Sequence, residues 1–319
     1  MIPIGVLDDY MNIAQEVADW DRLRGRAEID FYQDHLTDRE ALVERLRPFE
    51  VLVIMRERTP FPQPLLAQLP RLKLLVSTSG RNKSIDLAAC AQQGVLVCHT
   101  ELGPTPTAEH TWALILGLAK NIPAEDRATR AGQWGVRAGI GLAGKVLGLV
   151  GLGKLGSRVA QVGALFGMQV IAWSPNLTDA RAAEFGVTRV SKDELMARAD
   201  FVSVHMVLSE RSRGLIGADD LARMKPSAYL INTARGPIVD EDALVQAVHN
   251  GAIAGVGLDV FGTEPLPAND PLRTLPNSII TPHTGGFIRD NYQLWYQGAV
   301  EDIEAWLDGH PIRVLTSND

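Results

Sequence analysis

The 319-residue sequence has only two cysteines, Cys90 and Cys98, and neither lies in a CxxC pair or a His/Cys cluster. A disulfide framework and a structural metal site are therefore not expected, and both thiols read as reduced core residues. No apolar run approaches the roughly 18 residues of a membrane span. The chain opens directly on the apolar residues 2–7, without a charged leader and long apolar core, so the expectation is a cytoplasmic protein with no membrane part. Cations are short of anions, with a formal net charge of −7 and a pI near 5.6, and no run of Lys or Arg forms a basic stripe. That balance excludes a phosphate-backbone binder, and nucleic acid is not an expected partner. Internal repeats and low-complexity segments are also missing, which removes solenoids and disordered arrays.

What remains is ordinary globular material, 46% hydrophobic and 22% charged, long enough for two domains with separate cores. Short apolar runs at residues 2–7, 27–32, 51–55, 72–76 and 95–98 alternate with helical patterns. Runs that are apolar at nearly every position, not every second one, suit a parallel sheet covered by helices on both faces. This first unit has no glycine-rich phosphate loop. Its strand ends instead carry Arg56, Glu57, Arg58 and Thr59, and then Ser77, Thr78, Ser79, Gly80, Arg81 and Asn82. Ligands of open α/β sheets bind beyond the carboxyl ends of the strands, so these loops are candidates for a small polar substrate. The competing reading is a pair of solvated turns.

The chain is organised around residues 145–156, KVLGLVGLGKLG. A buried strand at 146–150 runs into Gly151-x-Gly153-x-x-Gly156, and a helical pattern follows in which Val159, Val162, Leu165 and Phe166 share a face. Gly151 permits the tight turn, Gly153 lets backbone approach a pyrophosphate, and Gly156 allows close packing of helix on strand. Backbone N–H groups at the helix start, including those of Lys154 and Leu155, then face the phosphates. Strands at 169–173, 201–207, 228–233, 254–260 and 278–281 continue the alternation, six in all with the glycine-loop strand. The stretch TAEHTWALILGLAK, after a stiff Gly103-Pro104-Thr105-Pro106 elbow, reads as the crossing between domains. Roughly 20 residues past a glycine loop an NAD site usually holds an acid for the ribose 2′-hydroxyl. Here that place is taken by Ser174, with Asp179 and Arg181 a few residues on. Nothing adjacent supplies phosphate-binding charge, so the expectation is NAD, with NADP left open.

Three later stretches put polar groups where apolar strands end: residues 232–236 (NTARG), 258–265 (LDVFGTEP) and 281–286 (TPHTGG). All lie at carboxyl ends in one sheet, so Arg235, Asp259, Glu264 and His283 are expected to converge where a nicotinamide would lie, with Thr233 beside them. Arg235 can hold a carboxylate by paired hydrogen bonds and polarise a carbonyl. His283 can exchange a hydroxyl proton near neutral pH, and Glu264 bonded to it would favour the imidazolium. Asp259 either orients these groups or meets the nicotinamide. Taken singly, each has an ordinary structural reading; taken together with the glycine loop, the catalytic one prevails.

VLGLVGLGKLGSRVA, INTARGPIVDEDAL, GLDVFGTEPLP and PNSIITPHTGG resemble the D-isomer-specific 2-hydroxyacid dehydrogenase family, and the resemblance runs almost from end to end. It implies a catalytic set on Arg235, Glu264 and His283. It also implies a flavodoxin-like substrate domain made of residues 1–100 and 286–319, a Rossmann dinucleotide-binding domain at 101–285, and a homodimer acting on a small 2-keto or 2-hydroxy acid. Two departures stand out. The substrate loop reads Ser79-Gly80-Arg81-Asn82, where the family often has two glycines flanking a small residue, so Arg81 with Arg58 is expected to recognise a second acidic or polar group. Val207 replaces a usual proline. Alternatives within the resemblance are oxidation of formate or phosphite, and a nucleotide-sensing, co-repressor-like interaction protein. Formate-type members carry glutamine where Glu264 stands.

Overall fold

A computed structural model describes residues 1–78, 80, 82–103 and 105–316. The chain divides into two compact units, Met1–Pro104 with Phe287–Asp319, and Thr105–Gly286.

In the first unit, β1 (Ile2–Val6), β2 (Ala27–Phe31), β3 (Val51–Ile54), β4 (Leu74–Ser77) and β5 (Leu96–His99) form a parallel sheet of order β2-β1-β3-β4-β5. This is the flavodoxin-like order. Every residue of β3 and β4 is buried, because helices cover both faces of the central strands. The alternation of side chains sorts the core into two layers. Ile4, Val6, Val51, Val53, Leu74 and Val76 pack with Trp295, Val300 and Ile303 of the last helix, Arg289–Leu307. Leu52, Ile54, Leu75 and Val97 pack with Val43, Leu46, Ala89 and Cys90 on the other side. The last helix thus returns to the first sheet, and Val314 bridges antiparallel to Cys98, covering the β5 edge. Both cysteines are free and buried, and burial pushes the thiols up, to about 11 for Cys90 and about 12 for Cys98.

The second unit contains β6 (Val146–Val150), β7 (Gln169–Trp173), β8 (Thr188–Arg189), β9 (Phe201–Val204), β10 (Tyr229–Asn232), β11 (Gly255–Leu258) and β12 (Ser278–Ile280). They form a parallel sheet of order β12-β11-β10-β9-β6-β7-β8, the Rossmann winding, with its reversal between β6 and β9. The sheet therefore has seven strands where the sequence pattern suggested six. The missed strand, β8, is two exposed residues on the outer edge, too short and too polar to show as an apolar run. One face of the sheet packs Leu147, Leu149, Phe201, Tyr229 and Ile231 against Trp112, Leu114, Ile115 and Leu118 of the helix Thr107–Ala119.

The helix after the glycine loop, Lys154–Leu165, also departs from the sequence pattern, since Leu165 is 87% exposed and Phe166 40%. Its buried positions are Gly156, Ser157, Val159, Ala160 and Gly163. Small residues line this face because the helix lies against the sheet: a methyl group on Gly163 would stand 2.9 Å from Leu147 Cδ2. Among the described residues, no helix is long and apolar enough to cross a membrane.

Candidate active site

The loop leaving β6 is shaped by two obligatory glycines. Gly151 has φ +106°, donates its N–H to Trp173 O at 2.8 Å, and any Cβ there would lie 2.6 Å from His205 O. At Gly156 a Cβ would lie 2.2 Å from Gly151 O, so helix and turn touch through backbone alone. Gly153 is different. Its φ of −86° suits any residue, and nothing stands within 4 Å of where its Cβ would be. Space is therefore open directly before the N-terminus of a 12-residue helix, and no side chain caps the first N–H groups, on Lys154, Leu155 and Gly156. A pyrophosphate fits this cradle, accepting from backbone N–H groups at the positive end of the helix. His205, at the neighbouring strand end, bonds Ser203 Oγ through Nε2 at 2.9 Å, and packing around its ring pushes it down to about 4, so it stays neutral beside the loop.

Ser174 is half-buried just past β7, its carbonyl accepting from Leu177 N–H at 3.2 Å. The nearby charges find local partners. Arg181 pairs with Glu184 and stacks on Phe185, and Asp179 lies 3.4 Å from Arg189. Neither Arg181 nor Arg189 is an unpaired cation awaiting a 2′-phosphate.

At the carboxyl ends of β10, β11 and β12 stand the residues of the expected chemical set. His283 Nδ1 and Glu264 Oε2 are 2.6 Å apart, with side chains 32% and 34% exposed. Glu264 is itself oriented, because its Oε1 accepts from Phe261 N–H at 2.9 Å. The next residue, Gly262, donates to Glu241 Oε1 at 2.7 Å, and the burial of Glu241 raises its carboxyl above the usual range. His283 sits at φ +54°, a left-handed conformation that costs a non-glycine residue of order 1 kcal/mol and must be held by its surroundings. Arg235 heads the turn before Gly236 and donates from Nη1 to Ala234 O at 2.7 Å. A methyl on Gly236 would stand 2.0 Å from the Phe261 carbonyl carbon, so the Arg235 turn is pressed directly against the loop that carries Glu264. Arg235 is thus brought to the same edge as Glu264 and His283, although its guanidinium bonds a carbonyl and not either of them.

Asp259, at 1% exposure, ties the last loop together. Its Oδ1 accepts from Thr281 Oγ1 at 2.6 Å and Thr284 N–H at 2.8 Å, and its Oδ2 from Gly285 N–H at 2.8 Å. Burial opposes its charge, but the hydrogen bonds from His110, Thr281 and Gly285 outweigh that and hold the carboxyl below its usual range. Of the two roles sequence left open for Asp259, orientation is the one these contacts serve. Thr233, also buried, shares a 2.8 Å hydroxyl hydrogen bond with Thr111 of the Thr107–Ala119 helix. His110 and Thr111 went unassigned in the sequence, where they read as part of an apolar helix.

In the first unit, the expected substrate groups are more committed than solvated turns would be. Arg58 donates from Nη1 to Asp8 O at 2.7 Å, and its guanidinium lies between Tyr10 and Phe287, 4.1 and 4.4 Å from their ring centres. Asp8 in turn accepts from Thr59 Oγ1 at 2.7 Å and contacts His35 Nδ1 at 2.8 Å. Gly80, at φ +64°, donates to Thr100 O at 2.9 Å, and Asn82 spans the loop by donating to Arg56 O and accepting from Ser84 N–H. Ser79 and Arg81 lie outside the described residues. No group of His, Cys, Asp and Glu able to hold a metal is found among the described residues.

Residues 112–285 match the family model described as D-isomer specific 2-hydroxyacid dehydrogenase, NAD binding domain. The chain is 38% identical over 251 residues to the D-3-phosphoglycerate dehydrogenase of Mycobacterium tuberculosis, covering 78% of this chain and 47% of that protein. It therefore spans about half the length of the phosphoglycerate dehydrogenases that it matches first. A glyoxylate reductase of Aeropyrum pernix is 37% identical over 255 residues, covering 77% of this chain and 76% of the relative. Among solved structures, a phosphoglycerate oxidoreductase from Vibrio cholerae superposes with a TM-score of 0.89 at 35% identity, over 97% of this chain and 100% of that one. On the fold, the glycine loop and these matches together, the chain belongs to the D-isomer-specific 2-hydroxyacid dehydrogenase family.

Proposed function

We propose that the protein is an NAD-dependent oxidoreductase that interconverts a D-2-hydroxy acid and its 2-keto acid, with Arg235, Glu264 and His283 as its catalytic residues. The observation that carries this reading is the 2.6 Å contact between His283 and Glu264 at the carboxyl ends of the glycine-loop sheet. Glu264 Oε2 accepts a hydrogen bond from Nδ1–H, so the proton exchanged with the substrate oxygen is the one on Nε2. The same contact fixes the orientation of the ring that gives its proton to the substrate oxygen when a keto acid is reduced. Arg235 binds the substrate carboxylate and polarises the adjacent carbonyl. The open space at Gly153 and the uncapped helix start would receive the pyrophosphate, with Lys154, Leu155 and Ser174 beside the cofactor, and Thr233 and Asp259 at its reactive end. Bound NADH supplies the hydride delivered to C2. NAD is favoured over NADP because Arg181 is engaged by Glu184.

Substrate choice is assigned to the first unit, to Arg58, Ser79, Gly80 and Arg81. The proteins it resembles include a phosphoglycerate dehydrogenase and a glyoxylate reductase, which differ in whether the acid carries a second charge. The test is a panel of glyoxylate, hydroxypyruvate, pyruvate, bulkier keto acids and dicarboxylic keto acids with NADH and NADPH, followed by absorbance. Turnover with NADH and at least one acid is expected, and Arg81→Ala is expected to reorder the panel. No turnover alongside tight NADH binding would overturn the enzyme reading in favour of a nucleotide sensor. The same reading makes the protein a cytoplasmic homodimer. In its support, both thiols are free, and Trp134 stands 91% exposed with Val136 on a segment folded back onto the helix Ile122–Arg130, whose Ile122 is also exposed. Light scattering is expected to give the mass of two chains, and Trp134→Glu to shift it to one.

A further inference from the structure

We infer that His110 is a positioning residue for the proposed reaction: its Nε2–H fixes the loop at residues 281–285 that presents His283. The inference rests on the functional reading above but is drawn from a separate set of contacts. His110 Nε2 lies 2.9 Å from Thr281 Oγ1 and 3.2 Å from Asp259 Oδ1. The direction of these bonds follows from counting hydrogens. Asp259 is held in its charged form, so it only accepts. The single hydroxyl hydrogen of Thr281 is therefore spent on Asp259 Oδ1, 2.6 Å away. Thr281 Oγ1 has only lone pairs left for His110, and Nε2 must be the donor, shared between the hydroxyl and the carboxylate.

The arrangement has a mechanical consequence. Asp259 grips the loop at three points, Thr281 Oγ1, Thr284 N–H and Gly285 N–H, and His283 lies between them in its left-handed conformation. His110 fixes the rotamers of both Thr281 and Asp259 from a rigid 13-residue helix, and its ring closes over the loop, with Cδ2 only 3.3 Å from where a Cβ on Gly285 would be. Loss of the Nε2–H frees Thr281 to rotate and leaves the carboxylate with fewer donors, which loosens the backbone on both sides of His283. Its effect should appear in the chemical step and not in cofactor binding, because the glycine loop is untouched.

The experiment compares His110→Ala and His110→Gln, the second of which restores an N–H donor at the Nε2 position. Three readouts are kcat and KM with NADH and glyoxylate or hydroxypyruvate, the NADH dissociation constant, and amide hydrogen exchange at Thr284 and Gly285. His110→Ala is expected to lower kcat on the order of 100-fold through misplacement of the proton donor, to leave NADH binding unchanged and to speed exchange at both amides. His110→Gln is expected to recover most of kcat and protection. Wild-type kcat and exchange in His110→Ala would overturn the inference, as would a folded His110→Gln no better than His110→Ala. Should His110→Ala fail to fold, Thr281→Val removes the acceptor while keeping the histidine, and unchanged exchange in that variant would equally overturn it. If the wild-type protein turns over no keto acid, the functional reading fails, while exchange at Thr284 and Gly285 still decides whether His110 holds the loop.

Discussion

The second unit holds two acid–histidine pairs on one frame, and they are built for different work. Glu264/His283 is about one-third exposed at both ends, with Glu264 Oε1 accepting from Phe261 N–H and Oε2 meeting His283 Nδ1. Asp259/His110 is sealed at the acid end, where Asp259 is 1% exposed and accepts from several donors of the following loop. Each pair joins an acid to a histidine, yet a partly exposed pair can pass a proton, while a buried acid gripped by several donors holds a shape. A third histidine, His205 at the end of β9, has Ser203 as its partner in place of an acid, and its proton is held off down to about 4 by packing.

The comparison can be broken most sharply at His283. His283→Gln should lower kcat by about 10³-fold while NADH binding, read by fluorescence titration, stays put; a small loss would mean that the exposed pair is not the proton donor. Asp259→Asn should act on the fold first, because an amide hydrogen would face the donors that the carboxylate now satisfies. A loss of about 2 kcal/mol is expected at neutral pH, measured by thermal or urea unfolding. The folded carboxyl lies below its unfolded value, so its contribution is present above the usual carboxylate range and fades as pH falls through the lowered value, and the variant should approach wild type in acid. Glu264→Gln sharpens the distinction between the pairs, since it should spare stability yet lower kcat by about tenfold, the ring of His283 having lost the carboxylate that orients it.

The smallest effect belongs to His205. Its folded value of about 4 lies below its ordinary 6.5, so the unfolded chain takes up the proton first, and stability should decline as pH falls through that window. His205→Asn should flatten that decline while leaving stability at neutral pH nearly unchanged, with the midpoint of thermal unfolding followed between those two pH values. An unchanged slope would mean that the ring is not as closely packed as its surroundings indicate.

Much of this architecture was legible as pattern. Strands β6 and β7 were bounded as observed, and β3 appeared as an unbroken apolar run because both of its faces are covered. Strand β8 was not legible, since two polar edge residues carry no hydrophobic signal. Nor was the outward turn of Leu165, because the contact with the sheet selects small residues where periodicity selects apolar ones. Glu264 and His283 were visible because each sits in a dense local motif after a strand. His110 was not, because nothing local marks it: its ring faces Thr281, 171 residues away, from the middle of an apolar helical run.

By itself, the sequence determined what depends on neighbours along the chain: the alternation of strands and helices, the glycines that only a bare backbone could satisfy at positions 151 and 156, and the acids and histidines placed just beyond strand ends. The tertiary structure alone decided which acid met which histidine and how deeply each pair was buried. Parallel strands bring distant segments to one edge, and the exposure and bonding of a charged group, set only after packing, determine whether it exchanges a proton or anchors a loop.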